Sequence, residues 1–149
     1  MFQRILVPTD GSALSTRAAA FAIKLARANR AQVVALHVIP TFKPSVYSDG
    51  VVPYAELYSS AEYRRATESY ARRMLARVAK RASAARVKCE IAFTNAAAPW
   101  KGITAEARRR DCDLIVMASH GRGGLKGLLL GSETTKVLAN SKTPVLVTR

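Results

Sequence analysis

The fold is decided by a stretch at residues 113–134, which reads DLIVMASHGRGGLKGLLLGSET. It begins with an apolar run at 113–118, and such a run bounded by turn residues predicts a buried strand. It ends in GSET, which predicts a helix over 132–139. Small and cationic residues connect the two, and glycines allow a backbone to approach an anionic ligand closely. The stretch therefore predicts a strand, a ligand-binding loop and a helix of an α/β protein.

The same alternation of strand and helix extends along the rest of the chain. The predicted strands are 3–8, 32–38, 87–93, 113–118 and 144–148, and the predicted helices are 12–28, a long helix from 55 or 61 to 84, 99–111 and 132–139. Apolar strands that alternate with helices predict a doubly wound, five-stranded parallel sheet in the order 3-2-1-4-5, with helices on both faces. We expect one Rossmann-like domain over residues 1–149.

Apolar stripes predict which faces of the first two helices are buried. The predicted stripe of the first helix is Ala18, Phe21, Ala22 and Leu25, and that of the long helix is Tyr63, Thr67, Tyr70, Met74 and Val78.

The composition is that of a globular protein with a strongly basic charge. Hydrophobic residues make up 49% of 149 residues, and the formal net charge is +14. Such an excess favours anionic partners, namely nucleotides, nucleic acid or a membrane surface. Nucleic acid is disfavoured because no nucleic-acid motif is present and aromatic residues are sparse, and we expect no membrane partner. No apolar run is long enough to span a bilayer, and a strand beginning at Gln3 leaves no room for a signal peptide, so we expect a cytoplasmic protein.

Catalytic and metal-binding motifs are missing from the sequence. It contains no HExxH, no GxSxG and no acid pair with an obvious catalytic spacing, and neither His37 nor His120 has a partner at metal or triad spacing. Cys89 and Cys112 lack CxxC spacing, so we interpret them as reduced, partly buried thiols.

The predicted strand order brings two turn-rich loops together at the point where the order reverses. They are PTDGS at 8–12 and the loop that leads to Ser132. Ligands of such sheets bind outside the carboxyl ends of these strands. Ser132 can cap the helix or donate to a phosphate, and Asp10 can form an Asx turn, cap the helix or bond a ribose hydroxyl. The residues alone leave these alternatives open.

The segments ILVPTDGS, LHV, DLIVMASHGRGG, LLLGSETTKVL and PVLVTR occur in this order along nearly the whole chain. With them the chain resembles the single-domain universal stress proteins of the nucleotide-binding type, whose fold is adenine nucleotide alpha hydrolase-like. Those relatives carry Gly-x-x-Gly, nine residues, then Gly and Ser or Thr. Gly121, Gly131 and Ser132 fit this pattern, whereas the first glycine position holds Ala118. An alanine with negative φ would change the backbone little, whereas a positive φ would cost about 1 kcal/mol or more.

The resemblance implies an adenine nucleotide, ATP or AMP, with Mg²⁺ as a candidate bridging ion. It implies that Asp10 contacts the adenosine, that main-chain groups of Val38 meet the adenine, and that the last helix holds the phosphates. The carboxylate of Glu133 would repel phosphate unless Arg122 or Lys126 compensates for it. The implied binding residues are Pro8, Thr9, Asp10, Val38, Ala118, His120, Gly121, Arg122, Gly131, Ser132 and Glu133.

The expected function is therefore that of a cytosolic stress-response protein that binds an adenine nucleotide and acts through partners, with slow ATP hydrolysis or autophosphorylation as its only enzymatic alternatives. The resemblance implies a homodimer through residues 143–149, and a short apolar edge strand needs such pairing. The sequence leaves the role of the segment 41–60 open, with closure over the adenine as one hypothesis. The alternatives are a dimeric interaction protein that binds no nucleotide, for which Ala118 is the best support, and a basic nucleic-acid-binding protein.

Overall fold

The computed structural model describes residues 1–41, 60–121 and 130–149, and in these residues strands and helices alternate as predicted. In chain order the elements are β1 (Arg4–Pro8), α1 (Ala13–Asn29), β2 (Gln32–Pro40), α2 (Ser60–Ala84), β3 (Cys89–Ala96), α3 (Pro99–Arg109), β4 (Leu114–Ala118), α4 (Ser132–Asn140) and β5 (Val145–Thr148).

The five strands form one parallel sheet in the order β3-β2-β1-β4-β5, which confirms the predicted order 3-2-1-4-5. Strand β1 lies at the centre, where Ile5 is paired with Val33 of β2 and Leu114 of β4. Its apolar residues Ile5 and Leu6 have no solvent exposure. The apolar run at the start of the chain is thus explained by burial on both faces of a central strand.

Helices cover both faces of the sheet, as predicted. Alternate side chains of a strand point to opposite faces, so Ile5 packs in a cluster with α1 and α2, whereas Leu6 packs in a cluster with α3 and α4. The two cysteines follow the same division, with Cys89 against the first cluster and Cys112 in the second. Because the sheet separates the two thiols, they form no reactive pair.

The buried face of α1 differs from the predicted stripe. Phe21 is 44% exposed, and the buried face consists of Ser15, Ala18, Ala19, Ala22, Ile23 and Ala26. Small side chains at four-residue steps allow the helix backbone to approach the sheet closely, and the bulky Phe21 does not fit that approach.

The predicted stripe of α2 is correct at Met74 and Val78 and wrong at its two tyrosines. Tyr63 and Tyr70 are 41% and 38% exposed, and the buried positions are Ala71, Met74, Leu75, Val78 and Ala82. The predicted stripe treated tyrosine as a core residue, whereas a tyrosine near the surface keeps its hydroxyl group accessible to polar partners.

The boundaries shift by a few residues at several elements. Strand β2 continues to Pro40 and so passes the end of its neighbour β1, which is at Pro8. Helix α3 begins at Pro99 as predicted but ends at Arg109, because Asp111 has the left-handed φ of 50°. None of the described helices is both long enough and apolar enough to cross a bilayer.

Candidate functional site

A cleft with a volume of about 540 Å³ lies at the carboxyl ends of β1 and β4, where the strand order reverses. Ten of the predicted binding residues line it, and Arg122 lies outside the described residues, as does nearly all of the segment 41–60. The ten are Pro8, Thr9, Asp10, Val38, Ala118, His120, Gly121, Gly131, Ser132 and Glu133.

The turn after β1 is fixed by its own side chains. Gly11 has a φ of 79°, which glycine adopts without steric cost. Asp10 Oδ1 accepts a hydrogen bond from Ser12 N at 2.9 Å, so this carboxylate forms the Asx-type turn that the sequence allowed. Ser12 in turn caps α1, because its Oγ accepts a hydrogen bond from Ser15 N at 3.2 Å. The turn therefore holds the Asp10 carboxylate at the edge of the cleft.

Asp10 and Gly121 lie close together where the two loops of the cleft meet. A Cβ atom on Gly121 would stand 2.8 Å from Asp10 Oδ2. Similarly, a Cβ atom on Gly131 would stand 3.2 Å from the carbonyl oxygen of Ser119 and 3.3 Å from His120 Cα. Neither glycine has a positive φ. The space left for a Cβ atom is therefore small at both positions.

The N-terminus of α4 opens into the cleft. Its N-cap residue is Gly131, and no side chain caps it, so the alternative in which Ser132 is the N-cap is wrong. The first intrahelical bond runs from Thr135 N to the carbonyl of Gly131 at 3.0 Å. The amides that precede Thr135 in the helix have no such partner, which is the usual condition for binding an anion. The exposed Ser132 side chain lies beside them.

The carboxylate of Glu133 is engaged by a neighbouring helix. Glu133 Oε2 accepts a hydrogen bond from Trp100 N at 2.8 Å, and Oε1 accepts one from Lys136 Nζ at 3.1 Å. Helix α3 needs this bond because its own N-cap residue, Ala98, offers no side-chain acceptor. Glu133 therefore caps α3 with one oxygen, and Lys136 offsets its charge. No local pattern could predict this role, since the two partners lie 33 residues apart.

Ala118 keeps the conformation of a strand. It is the last residue of β4 and is paired with Thr148, and the described non-glycine residues with positive φ are Arg30, Arg86 and Asp111. Its carbonyl oxygen accepts a hydrogen bond from Thr134 Oγ1 at 3.0 Å, which ties β4 to the first turn of α4. Alanine in place of glycine thus causes no backbone strain here.

The main chain of Val38 is directed toward the cleft by the hydrogen-bond pattern of β2. Thr9 N donates to the carbonyl of Leu36 at 2.8 Å, so Leu36 directs its polar groups toward β1. Main-chain polar groups in a parallel strand alternate between its two neighbours, so those of Val38 point to the same side. Because β1 ends at Pro8, Val38 directs them past the last residue of that strand.

Three of the described cleft residues, His37, Tyr70 and His120, have aromatic rings. His37 Nδ1 lies 2.8 Å from the carbonyl oxygen of Thr9, and the ring of Tyr70 meets that of His37 edge-on, with 6.2 Å between the centroids. His120 Nδ1 lies 3.1 Å from Ser119 Oγ, and its buried Nε2 has no hydrogen-bond partner among the described residues. The sequence did not indicate Tyr70 as a cleft residue, because it lies on α2, far along the chain.

The described residues offer no group of three or more His, Cys, Asp or Glu side chains that could hold a metal ion. Burial raises the pKa of Cys112 to about 11 and also raises that of Cys89. Both cysteines are free thiols, Cys89 partly buried and Cys112 buried, and the raised pKa values keep both protonated near neutral pH.

The strand order and the position of the cleft together define a Rossmann-like α/β protein with a cleft at its switch point. The model of the universal stress protein family matches residues 1–149, and the chain belongs to this family.

Individual relatives agree with this assignment. The universal stress protein YxiE of Bacillus subtilis is 31% identical over 149 residues, which is 100% of both chains. Among solved structures, hypothetical protein MJ0577 matches with a TM-score of 0.78 and 28% identity, over 99% of this chain and 96% of the other. A universal stress protein in complex with cAMP matches with a TM-score of 0.72 and 28% identity, over 99% and 97%.

Proposed function

We propose that this protein binds an adenine nucleotide, ATP or AMP, in the cleft between β1 and β4. We further propose that it is a cytoplasmic stress-response protein that acts through partners. The observation that carries the proposal is the convergence of three features on one cleft: the Asp10 carboxylate, the close approach at Gly121, and the open N-terminus of α4. The related structure with cAMP supports the same ligand class.

The two ends of the cleft suit the two ends of a nucleotide. At one end the main chain of Val38 offers a donor and an acceptor to a base, and Asp10 offers a carboxylate oxygen to a ribose hydroxyl. At the other end the first-turn amides of α4 and the positive end of its dipole face the phosphates. Because Lys136 and Trp100 N engage the Glu133 carboxylate, its charge is partly offset. Since the described residues offer no cluster of metal ligands, we propose that Mg²⁺ enters together with the phosphates.

Isothermal titration with ATP and MgCl₂ tests the proposal. Ser132→Asp places a carboxylate at the first position of α4, where the helix dipole favours it but a phosphate is repelled. We expect this variant to fold and to bind ATP at least about tenfold more weakly. The matched control is Ser69→Asp, which adds the same charge on the exposed side of α2, where Arg73 already contacts Ser69 Oγ at 2.6 Å.

Affinity should be unchanged in the control. Absence of heat with the wild-type protein at millimolar ATP, together with no rise in its melting temperature, would refute nucleotide binding. That result would favour the alternative of an interaction protein that binds no nucleotide. Equal affinity of wild type and Ser132→Asp would place the phosphates elsewhere.

We also propose a homodimer through the edge strand β5. Among the described strands β5 pairs with β4 alone, and its four residues are partly buried. The carbonyls of Pro144 and Thr148 face β4, accepting from Ile115 N and Ser119 N, so Val147 directs its N–H outward.

Val147→Pro therefore removes a donor from the free edge and leaves the ladder to β4 intact. We expect light scattering to show a dimer for the wild type and a monomer for this variant. The matched control is the conservative Val147→Ile, which should stay dimeric. A dimer that persists in Val147→Pro would exclude edge pairing at this residue.

A further inference from the structure

A second cleft, of about 650 Å³, lies at the opposite end of the sheet. It is formed where α1 and α2 end and where β2 and β3 begin. Its lining contains four cations and no acid, with two glutamines beside them: Gln3, Ala26, Arg27, Arg30, Ala31, Gln32, Arg86, Val87 and Lys88. We call it the basic cleft.

The cations of the basic cleft have no ion-pair partner within the described part of the chain. Two carboxylates near this end of the sheet, Glu90 and Asp113, are engaged elsewhere. Glu90 pairs with Arg4 and Arg110, while Asp113 accepts hydrogen bonds from the amides of Gln3 and Arg4. No acid occurs in residues 11–41, which hold four cations, or in residues 69–89, which hold seven. Cations therefore greatly outnumber acids in the segments that form the cleft, and none of the four cleft cations forms an ion pair with a described residue.

Helix dipoles account for only part of this charge. A helix C-terminus carries about half a negative charge, so the ends of α1 and α2 together match about one cation. The carbonyls at these ends are also capped by the main chain, since Ala31 N donates to Ala26 O at 2.8 Å and Val87 N donates to Ala82 O at 2.9 Å. Cations are thus present in excess of what the two helix ends require.

Two of the cations occupy positions that favour glycine. Arg30 and Arg86 have φ values of 56° and 58°, which place both in the left-handed region at a helix end. Glycine is the usual residue there because a side chain costs about 1 kcal/mol. Arginine at both positions places two guanidinium groups, which match phosphate oxygens in pairs, at one cleft.

We propose that the basic cleft binds a condensed inorganic phosphate, such as tripolyphosphate or a longer polyphosphate chain. Four cations and two amide side chains suit the repeated oxygens of such a chain. No aromatic residue lines the cleft, so a nucleobase has no surface on which to stack. A concave site also suits a thin phosphate chain better than the convex backbone of a duplex.

Calorimetric titration with sodium tripolyphosphate tests this proposal. The test variant is Arg30→Gly combined with Arg86→Gly, since glycine fits both left-handed positions and the fold should keep or gain thermal stability. We expect the affinity of the wild type to fall as the salt concentration rises. Losing one charge-assisted contact weakens binding about tenfold, so the double variant should bind tripolyphosphate at least about tenfold more weakly than the wild type. The matched control is Arg64→Gln combined with Arg65→Gln, which removes two exposed cations at the other end of α2.

The control should change the affinity less than about twofold. An equal loss of affinity in both double variants would show that net charge alone causes the effect, and it would refute a binding site in the basic cleft. Loss of tripolyphosphate binding in Ser132→Asp, with retention in the arginine variant, would assign the anion to the nucleotide cleft instead. Tighter binding of a short DNA duplex, abolished by the same arginine changes, would overturn the choice of ligand. If tripolyphosphate binds as expected while ATP fails to bind, the proposed nucleotide function is refuted, whereas phosphate binding in the basic cleft is supported.

Discussion

Gly131→Ala should destabilise the protein because the new methyl group would meet backbone rather than a movable side chain. Its Cβ would lie 3.2 Å from the Ser119 carbonyl oxygen and 3.3 Å from His120 Cα. The start of α4 must then move a few tenths of an ångström away from β4. That movement lengthens the bond of 2.7 Å from Gly131 N to Ser119 O and the bond of 3.0 Å from Thr134 Oγ1 to Ala118 O.

Overpacking and the poorer N-cap together should cost about 2 kcal/mol. For a chain of this size, that corresponds to a fall in melting temperature of about 4–8 °C, which thermal unfolding by circular dichroism measures. The matched comparison is Gly121→Ala, whose Cβ would meet Asp10 Oδ2 at 2.8 Å, a side-chain atom that can rotate away. This variant should lose less stability, but it should displace the Asp10 carboxylate and weaken the proposed binding of ATP. A Gly131→Ala variant that melts within about 1 °C of wild type would refute the packing argument.

Three further predictions concern caps, charge and thiols. Glu133→Gln replaces the charged cap on Trp100 N with a neutral one, and urea unfolding should show a loss of about 0.5–1 kcal/mol, whereas unchanged stability would deny the cap. Hydrogen bonds from Arg109 and Arg110 lower the pKa of the Glu106 carboxyl from its usual value of 4.5. The ionised carboxylate therefore stabilises the fold above a pH of about 4.5, and this stabilisation is lost as the pH falls through the lower pKa of the folded state. Glu106→Gln should flatten that part of the curve of stability against pH, and an unaltered curve would contradict the assignment. Since burial raises the pKa of Cys112 to about 11, a thiol reagent at neutral pH should label Cys112 only after denaturation, and fast labelling of Cys112 in the native protein, located by peptide mapping, would disprove its burial.

The strand order and the place of the cleft could be predicted from the sequence because both follow from strong local patterns. The apolar run that ends at Ala118 and the turn residues after Pro8 identify the two central strands, and their exits meet wherever the order reverses. The same logic brought Asp10 and Gly131 to one cleft. These inferences needed only the period of hydrophobicity and the right-handed connection of parallel strands.

What the sequence could not predict depends on contacts between distant segments. The cap that Glu133 provides for α3 joins residues of two helices, and the approach of Tyr70 to His37 depends on how α2 lies over the sheet. The exposure of Phe21 was missed for a related reason, since periodicity alone does not show how closely a helix approaches its sheet. Whether Ala118 strains the backbone depends on its φ angle, and only the pairing of β4 with its neighbours shows that this angle is that of a strand.

The hydrogen bond from Trp100 N to Glu133 also gives the protein an optical signal of its own. The chain contains one tryptophan, and its amide is held by a residue of the first turn of α4, next to Ser132. Its ring lies 5.5 Å from Lys101 Nζ, a nearby charge to which indole emission responds. The hydrogen bond to Glu133 links the backbone of Trp100 to the start of α4, which borders the cleft. We therefore expect the intrinsic fluorescence of the unlabelled protein to respond to displacements of α4 at the cleft between β1 and β4.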